Sequence, residues 1–176
     1  MTKGHGKTRA ASIPALILVT VVLLLACGLA QLNRPEHKIH RRLETLADLA
    51  NKSSHESQVK TLQRMTEIIG YFTEDCHLDF GPMTPEIIDR SELRGLIGQL
   101  RMHAETVEVK IHGKTISLGP GKKSATVELM LEGTVDIHGE RANEFREYRL
   151  SMKKEGQDWL IDRLDAVRSI TTPDQL

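Results

Sequence analysis

The chain has 176 residues, sets 24 Lys+Arg against 24 Asp+Glu, and holds two cysteines. That length accommodates one domain of typical size with a real core and argues against two. Lys3, Lys7 and Arg9 all precede an apolar run, so the remainder is slightly acidic and lacks the electrostatic footprint of a nucleic-acid binder. With Cys27 inside that run, Cys76 has no partner and a disulfide framework is excluded.

Residues 1–12 read as a short basic tail, and residues 13–32 as a transmembrane helix or signal anchor. The segment IPALILVTVVLLLACGLA carries no charge and, as a helix, spans roughly 27 Å, enough for a hydrocarbon core. Basic residues before it place the N-terminus in the cytoplasm, although Arg34, Lys38, Arg41 and Arg42 follow closely. Three fates compete. Leu24-Leu25-Ala26-Cys27 is similar to a bacterial lipobox, in which Cys27 would carry the lipid; Gly28-Leu29-Ala30 offers a small-x-small cleavage site; and the same small residues are ordinary in a spanning helix. The uncleaved span is favoured because the run is long enough and Leu25 spoils the lipobox. Each fate puts residues 33–176 outside the cytoplasm, as the periplasmic, cell-envelope part of a single-pass inner-membrane protein.

Beyond Pro35, Ile39, Leu43, Leu46 and Ala50 recur at helical spacing until NKSS interrupts them. Ser53-x-x-Glu56 reads as a capping box opening a second helix with the stripe Val59, Leu62, Met65, Ile69 and Phe72. CHLDF is a short segment, Gly81-Pro82 and Thr84-Pro85 mark turns, and Leu93, Leu96, Ile97 and Leu100 stripe a helix beginning near Ser91. From Thr106 the period becomes two: Val107, Val109 and Ile111, then Val127, Leu129, Leu131, Val135 and Ile137, alternate with polar residues. HGER and KKEGQD separate a third strand, around residues 145–153, from a fourth at 159–168. Helices first and one-sided antiparallel strands afterwards predict an α+β fold, a curved sheet with helices on its apolar face.

That order, with YFTEDCHLDF, a turn-rich spacer, DRSELRGLI and the closing strand GQDWLIDRLDAV, resembles the NTF2-like (SnoaL-like, cystatin-cone) superfamily over residues 40–170. Asp89 stands where the glycine before the helix-opening arginine is usual. The resemblance implies an NTF2-like cone, and two functional expectations. One is a non-catalytic module of the cell envelope that binds a small apolar ligand or envelope proteins. Its basic tail, single span and domain are similar in plan to inner-membrane assembly components of type IV secretion machines and to membrane proteins associated with lipid importers. The other is a membrane-tethered isomerase, cyclase or dehydratase. Laid on the ketosteroid isomerases, the sequence puts Phe80 at the position of the general-base aspartate, and Asp79 points to the opposite strand face. No cofactor is expected.

Few residues offer chemistry beside this. Asp75 and Asp79 sit at even spacing as a paired-carboxylate candidate, and His103, like His112, flanks the first long strand. Cys76-His77 face apart as strand neighbours, which favours a buried structural thiol over a nucleophile. His37, His40 and Glu44 share a helical face, but Lys38, Arg41 and Arg42 would repel a cation, so no metal site is expected. Glu108, Lys110, Glu128, Glu132, Asp136, Glu147 and Arg149 give the outer sheet face mixed charge, which disfavours a dry obligate dimer and leaves a wet or transient one.

Overall fold

The computed structural model describes residues 34–82 and 84–169. The apolar run with Cys27 lies outside them; among the described residues no helix is long and apolar enough to cross a membrane. Contacts divide the chain into Met1–Lys38 and Ile39–Leu176. Of the first unit, residues 34–38 are described, and they hold the opening turn of a helix, with Lys38 N donating to Arg34 O at 3.2 Å.

The three helices are α1 (Pro35–Ala50), α2 (Gln58–Ile69) and α3 (Arg90–His103). The strands are β1 (Phe72–Asp79), β2 (Thr106–Leu118), β3 (Ser124–Ile137), β4 (Glu140–Glu155) and β5 (Asp158–Ser169). Proline at the start of α1 lacks only an amide that no helix would use there. α3 opens on Asp89, whose Oδ1 accepts from Ser91 N at 2.7 Å and Glu92 N at 2.8 Å. Thus Asp89 works as a helix cap. Asp89→Ala is expected to lower the unfolding free energy by about 0.5–2 kcal/mol in a urea titration.

The expected α2 start needs correction. Ser57, not Ser53, is the cap, accepting from Lys60 N at 3.4 Å, while Glu56 turns inward. The stripe shifts with it: Ile68 and Ile69 are buried, whereas Val59 and Leu62 are 67 % and 63 % exposed. Glu56 was free to abandon the box because a buried arginine offers its carboxylate a stronger partner.

β2 to β5 form a meander, each antiparallel to the next, and the sheet order is β1-β5-β4-β3-β2. The sheet is mixed, because β1 runs parallel to β5. Hairpins can join only strands adjacent in sequence. β1 has none, enters from α2, and takes the open edge of the last strand. Register breaks at His112/Lys114, Glu147/Tyr148 and Ser151/Met152 bend the strands and curve the sheet. At the β3–β4 hairpin, His138 and Gly139 both take positive φ, as a two-residue turn of this hand requires.

The core lies between the concave sheet face and the helices. Ile39 and Leu43 of α1, Leu78 of β1, Met152 of β4, and Trp159 and Ile161 of β5 are all fully or nearly fully buried there. The helices do not fill the concavity to its end, and the site begins where they stop.

Candidate functional site

An apolar cavity of about 500 Å³ opens between α1, α3 and the sheet. Leu46 of α1, Leu96 and Ile97 of α3, Val109 and Ile111 of β2, and Leu131 of β3 line it while remaining only partly buried, so the chamber is open to solvent on one side. The aromatic rings in its wall are Phe72, Phe80 and Tyr148; its remaining polar side chains are Thr84, Arg101 and Glu144. A chamber of this size and lining falls in the range of small-molecule sites.

Tyr148 is placed by β4 alternation, which points Leu150 and Met152 to the same inner face. Its ring meets Phe80 edge-on, centroids 6.5 Å apart, and its hydroxyl donates to Phe80 O at 3.4 Å. Burial first, then the negative charge of Glu144, pushes the phenol up to about 12. At neutral pH the hydroxyl is therefore a donor and never a base.

Two residues further out on the same face, Arg146 pairs with Glu144 at 2.5 Å. Its guanidinium packs beneath Gly81, where a Cβ would collide with Nη1, and Gly81 has φ +110°. Gly81→Ala should therefore strain the backbone and displace Arg146 together. A loss of about 1–3 kcal/mol is expected by chemical denaturation, and Arg146→Ala in the same background should recover part of it by relieving the clash.

At the other end, Arg101 is 3 % exposed. It donates to Ala50 O at 3.0 Å and, at longer range, to Leu49 O and Asn51 O, the closing carbonyls of α1. It also pairs with Glu56 at 2.9 Å, and Arg64 reaches the second Glu56 oxygen at 3.2 Å. Burial works against the Glu56 carboxylate, but hydrogen bonds from Arg101 and Thr61 outweigh it and hold the group below the usual range. Arg101 is thus committed to joining α1, α2 and α3, and it lines the chamber without a free charge.

The residues singled out from sequence lie elsewhere. Asp79 accepts from Gly81 N at 2.8 Å and borders an outer depression with Glu86 and Arg146. Asp75 is exposed in a different depression, beside His77 and Arg90. The even spacing of the two aspartates fails to unite them because β1 bulges between Phe72 and His77. His103 is exposed at the end of α3. Cys76 is fully buried, with its thiol pushed up by burial, and His77 faces away to Glu86 at 2.6 Å. His40 pairs with Glu44 at 3.3 Å, and Lys114, from β2, does most to hold the Glu44 carboxyl low. Among the described residues no cluster of ligands could hold a metal ion. On the outer sheet face Glu108–Lys110, Glu128–Arg149 and His112–Glu132 are exposed pairs.

Arg101, Tyr148 and the Glu144–Arg146 pair were missed by sequence reasoning. Arg101 continues Leu93 and Ile97 at steps of four, a charged residue on a buried stripe, and that spacing was the available signal.

No family model matches the chain, and no curated protein does. Solved structures do. A protein of Novosphingobium aromaticivorans provisionally named a scytalone dehydratase superposes with TM-score 0.64 at 15 % identity, covering 80 % of this chain and 87 % of its own. One from the same organism, provisionally named an aromatic ring hydroxylase, gives 0.62 at 13 %, covering 78 % and 92 %. A third from that organism, described as an NTF2-like protein with a cystatin-like fold, gives 0.58 at 14 %, covering 81 % and 86 %. At these identities the likeness establishes an NTF2-like α+β fold and leaves activity open.

Proposed function

We propose that this chain is a binding domain that holds a small apolar molecule in its cone. The observation that carries the reading is the chamber of about 500 Å³ with an aliphatic wall. Its charged groups are paired, Arg101 with Glu56 and the α1 carbonyls and Glu144 with Arg146, although the Nε of each arginine is buried without a partner. Proton abstraction needs a carboxylate or imidazole within hydrogen-bond reach of substrate. Among the described residues the wall offers neither beyond Glu144, while Phe80 occupies the place where the isomerase resemblance would put its base. Native mass spectrometry of the purified full chain is expected to show an apolar molecule bound one to one and released by organic extraction. Recovery of only empty protein, with no uptake from added aliphatic compounds, would contradict the reading.

A second reading, a tethered dehydratase or isomerase, draws on one feature. Tyr148 lines the chamber and its hydroxyl stays protonated, so a substrate carbonyl that displaced Phe80 O, now 3.4 Å away, would find a donor. Turnover abolished by Tyr148→Phe with binding retained would favour it.

The domain works, on this proposal, outside the cytoplasm at the inner membrane, tethered by residues 13–32. The basic tail and the uncharged run support this placement. Intact mass after membrane extraction separates the tethers. Full length supports the span, a start at Cys27 with added acyl chains supports the lipobox, and a bare start at Gln31 supports release.

A further inference from the structure

We propose that the cone takes a single-chain aliphatic amphiphile and that its mouth selects against an anionic head group. This rests on the binding reading above and adds the class of ligand. Three observations carry it.

The first is the wall. Leucine, isoleucine, valine and alanine side chains form most of it, and the rings of Phe72, Phe80 and Tyr148 stand on β1, β4 and the segment after β1. A flat aromatic ligand gains from ring faces set to stack on it. A flexible methylene chain gains in proportion to the area it buries, whatever its shape, and an aliphatic wall suits it.

The second is continuity. Thr84 lines both the apolar chamber and the outer depression of about 610 Å³ that holds Asp79, Gly81, Pro82, Glu86 and Arg146. The two spaces therefore meet at Thr84 and at the Glu144–Arg146 pair, of which Glu144 lines the chamber and Arg146 the depression, and we place the head of the ligand there, in a polar setting, with its tail in the chamber. Glu144 stands at the same rim, exposed.

The third is charge. Among the described side chains, Asp79, Glu86 and Glu144 face this exit against one cation, Arg146. Arg146 pairs with Glu144 through Nη2, its Nε is buried without a partner, its side chain is 12 % exposed, and Gly81 covers it. His77 is the other group that faces Glu86, at 2.6 Å. The remaining chamber cation, Arg101, is held at the far end by Glu56, which Arg64 shares. A carboxylate or phosphate head would thus meet uncompensated acids, whereas a hydroxyl, amide or ammonium head finds acceptors.

The test is displacement of the uncharged dye N-phenylnaphthylamine from the full chain by three probes of one chain length: dodecanol, dodecylamine and dodecanoate, at pH 8 and low salt. The Ala47→Phe variant, whose new ring enters the chamber, serves as the blank for binding elsewhere. Dodecanol and dodecylammonium are expected to displace the dye at concentrations at least about tenfold below dodecanoate. Glu144→Gln and added salt should each narrow that gap. Equal or tighter binding of dodecanoate overturns the head-group selectivity. Dye bound but displaced by none of the three overturns the aliphatic class. Failure of the dye to distinguish wild type from Ala47→Phe overturns the binding reading, and the proposal with it.

Discussion

Glu56→Gln is expected to lower the unfolding free energy by about 3–5 kcal/mol, because it leaves the buried Arg101 without its carboxylate, and Arg101→Met by less, because Arg64 still reaches Glu56. The side chains of the pair are 2 % and 1 % exposed, so water cannot substitute for the lost partner. Arg101→Met also strips a donor from the carbonyls of Leu49 and Ala50 at the end of α1. Replacing both residues by apolar ones of similar volume should recover only part of the loss, since the α1 carbonyls and Arg64 still lose their partners. The pH dependence follows from the depressed Glu56 carboxyl. Its stabilisation is fully present above the unfolded value, about 4.3 for glutamate, and disappears as pH falls through the lower folded value. Urea midpoints of wild type should therefore drop from pH 7 to pH 3 more steeply than those of Glu56→Gln. Parallel curves would mean that the pair is not the acid-sensitive contact.

Ala47→Phe carries the second large effect, this time on binding. Ala47 lies on α1 between Leu43 and Ala50 and borders the chamber. A phenyl group there occupies space the ligand needs, and loss of even two or three methylene contacts at about 0.8 kcal/mol each weakens binding at least about tenfold. Stability should hold or rise, because the ring enters space that is empty rather than packed. A fall of about 1–3 kcal/mol would instead be the signature of overpacking, and would mean that the chamber is closed in solution. Thermal unfolding and dye titration on the same preparation separate the two outcomes.

Much of the fold was legible because it rests on local periodicity. Alternation over Val107–Val109–Ile111 and over Val127–Leu129–Leu131 marks β2 and β3, and Leu93, Leu96 and Ile97 mark α3, where the structure has them. What local pattern cannot carry is pairing at a distance. Nothing in CHLDF shows that β1 would lie parallel to β5, since that pairing follows from which edge the meander leaves open. The start of α2 was misread for a related reason: Ser53-x-x-Glu56 satisfies the local rule, and Arg101, 45 residues away, takes the carboxylate. The chamber was illegible in principle, being the volume that helices of a given length leave over a curved sheet. Its charge was partly legible. Glu144, Arg146 and Tyr148 share parity with Leu150 and Met152, and following the inward face of β4 toward its start would have placed all three at the cone.

Among the described residues, the one carboxylate in the chamber wall is Glu144, at its exposed rim. Asp75, Asp79 and His103 would each have supported proton transfer had the fold turned them inward. The β1 bulge and the Gly81 turn face the two aspartates outward, and His103 ends its helix in solvent. On the proposed reading the chamber is an apolar container with Tyr148 in its wall and an acidic rim.

The most direct test of that container is saturation binding of N-phenylnaphthylamine to the full chain and to Ala47→Phe, read by fluorescence. One saturable site is expected in wild type, lost or weakened at least about tenfold in the variant, at unchanged or higher thermal stability. Identical titrations of the two proteins would contradict the binding reading.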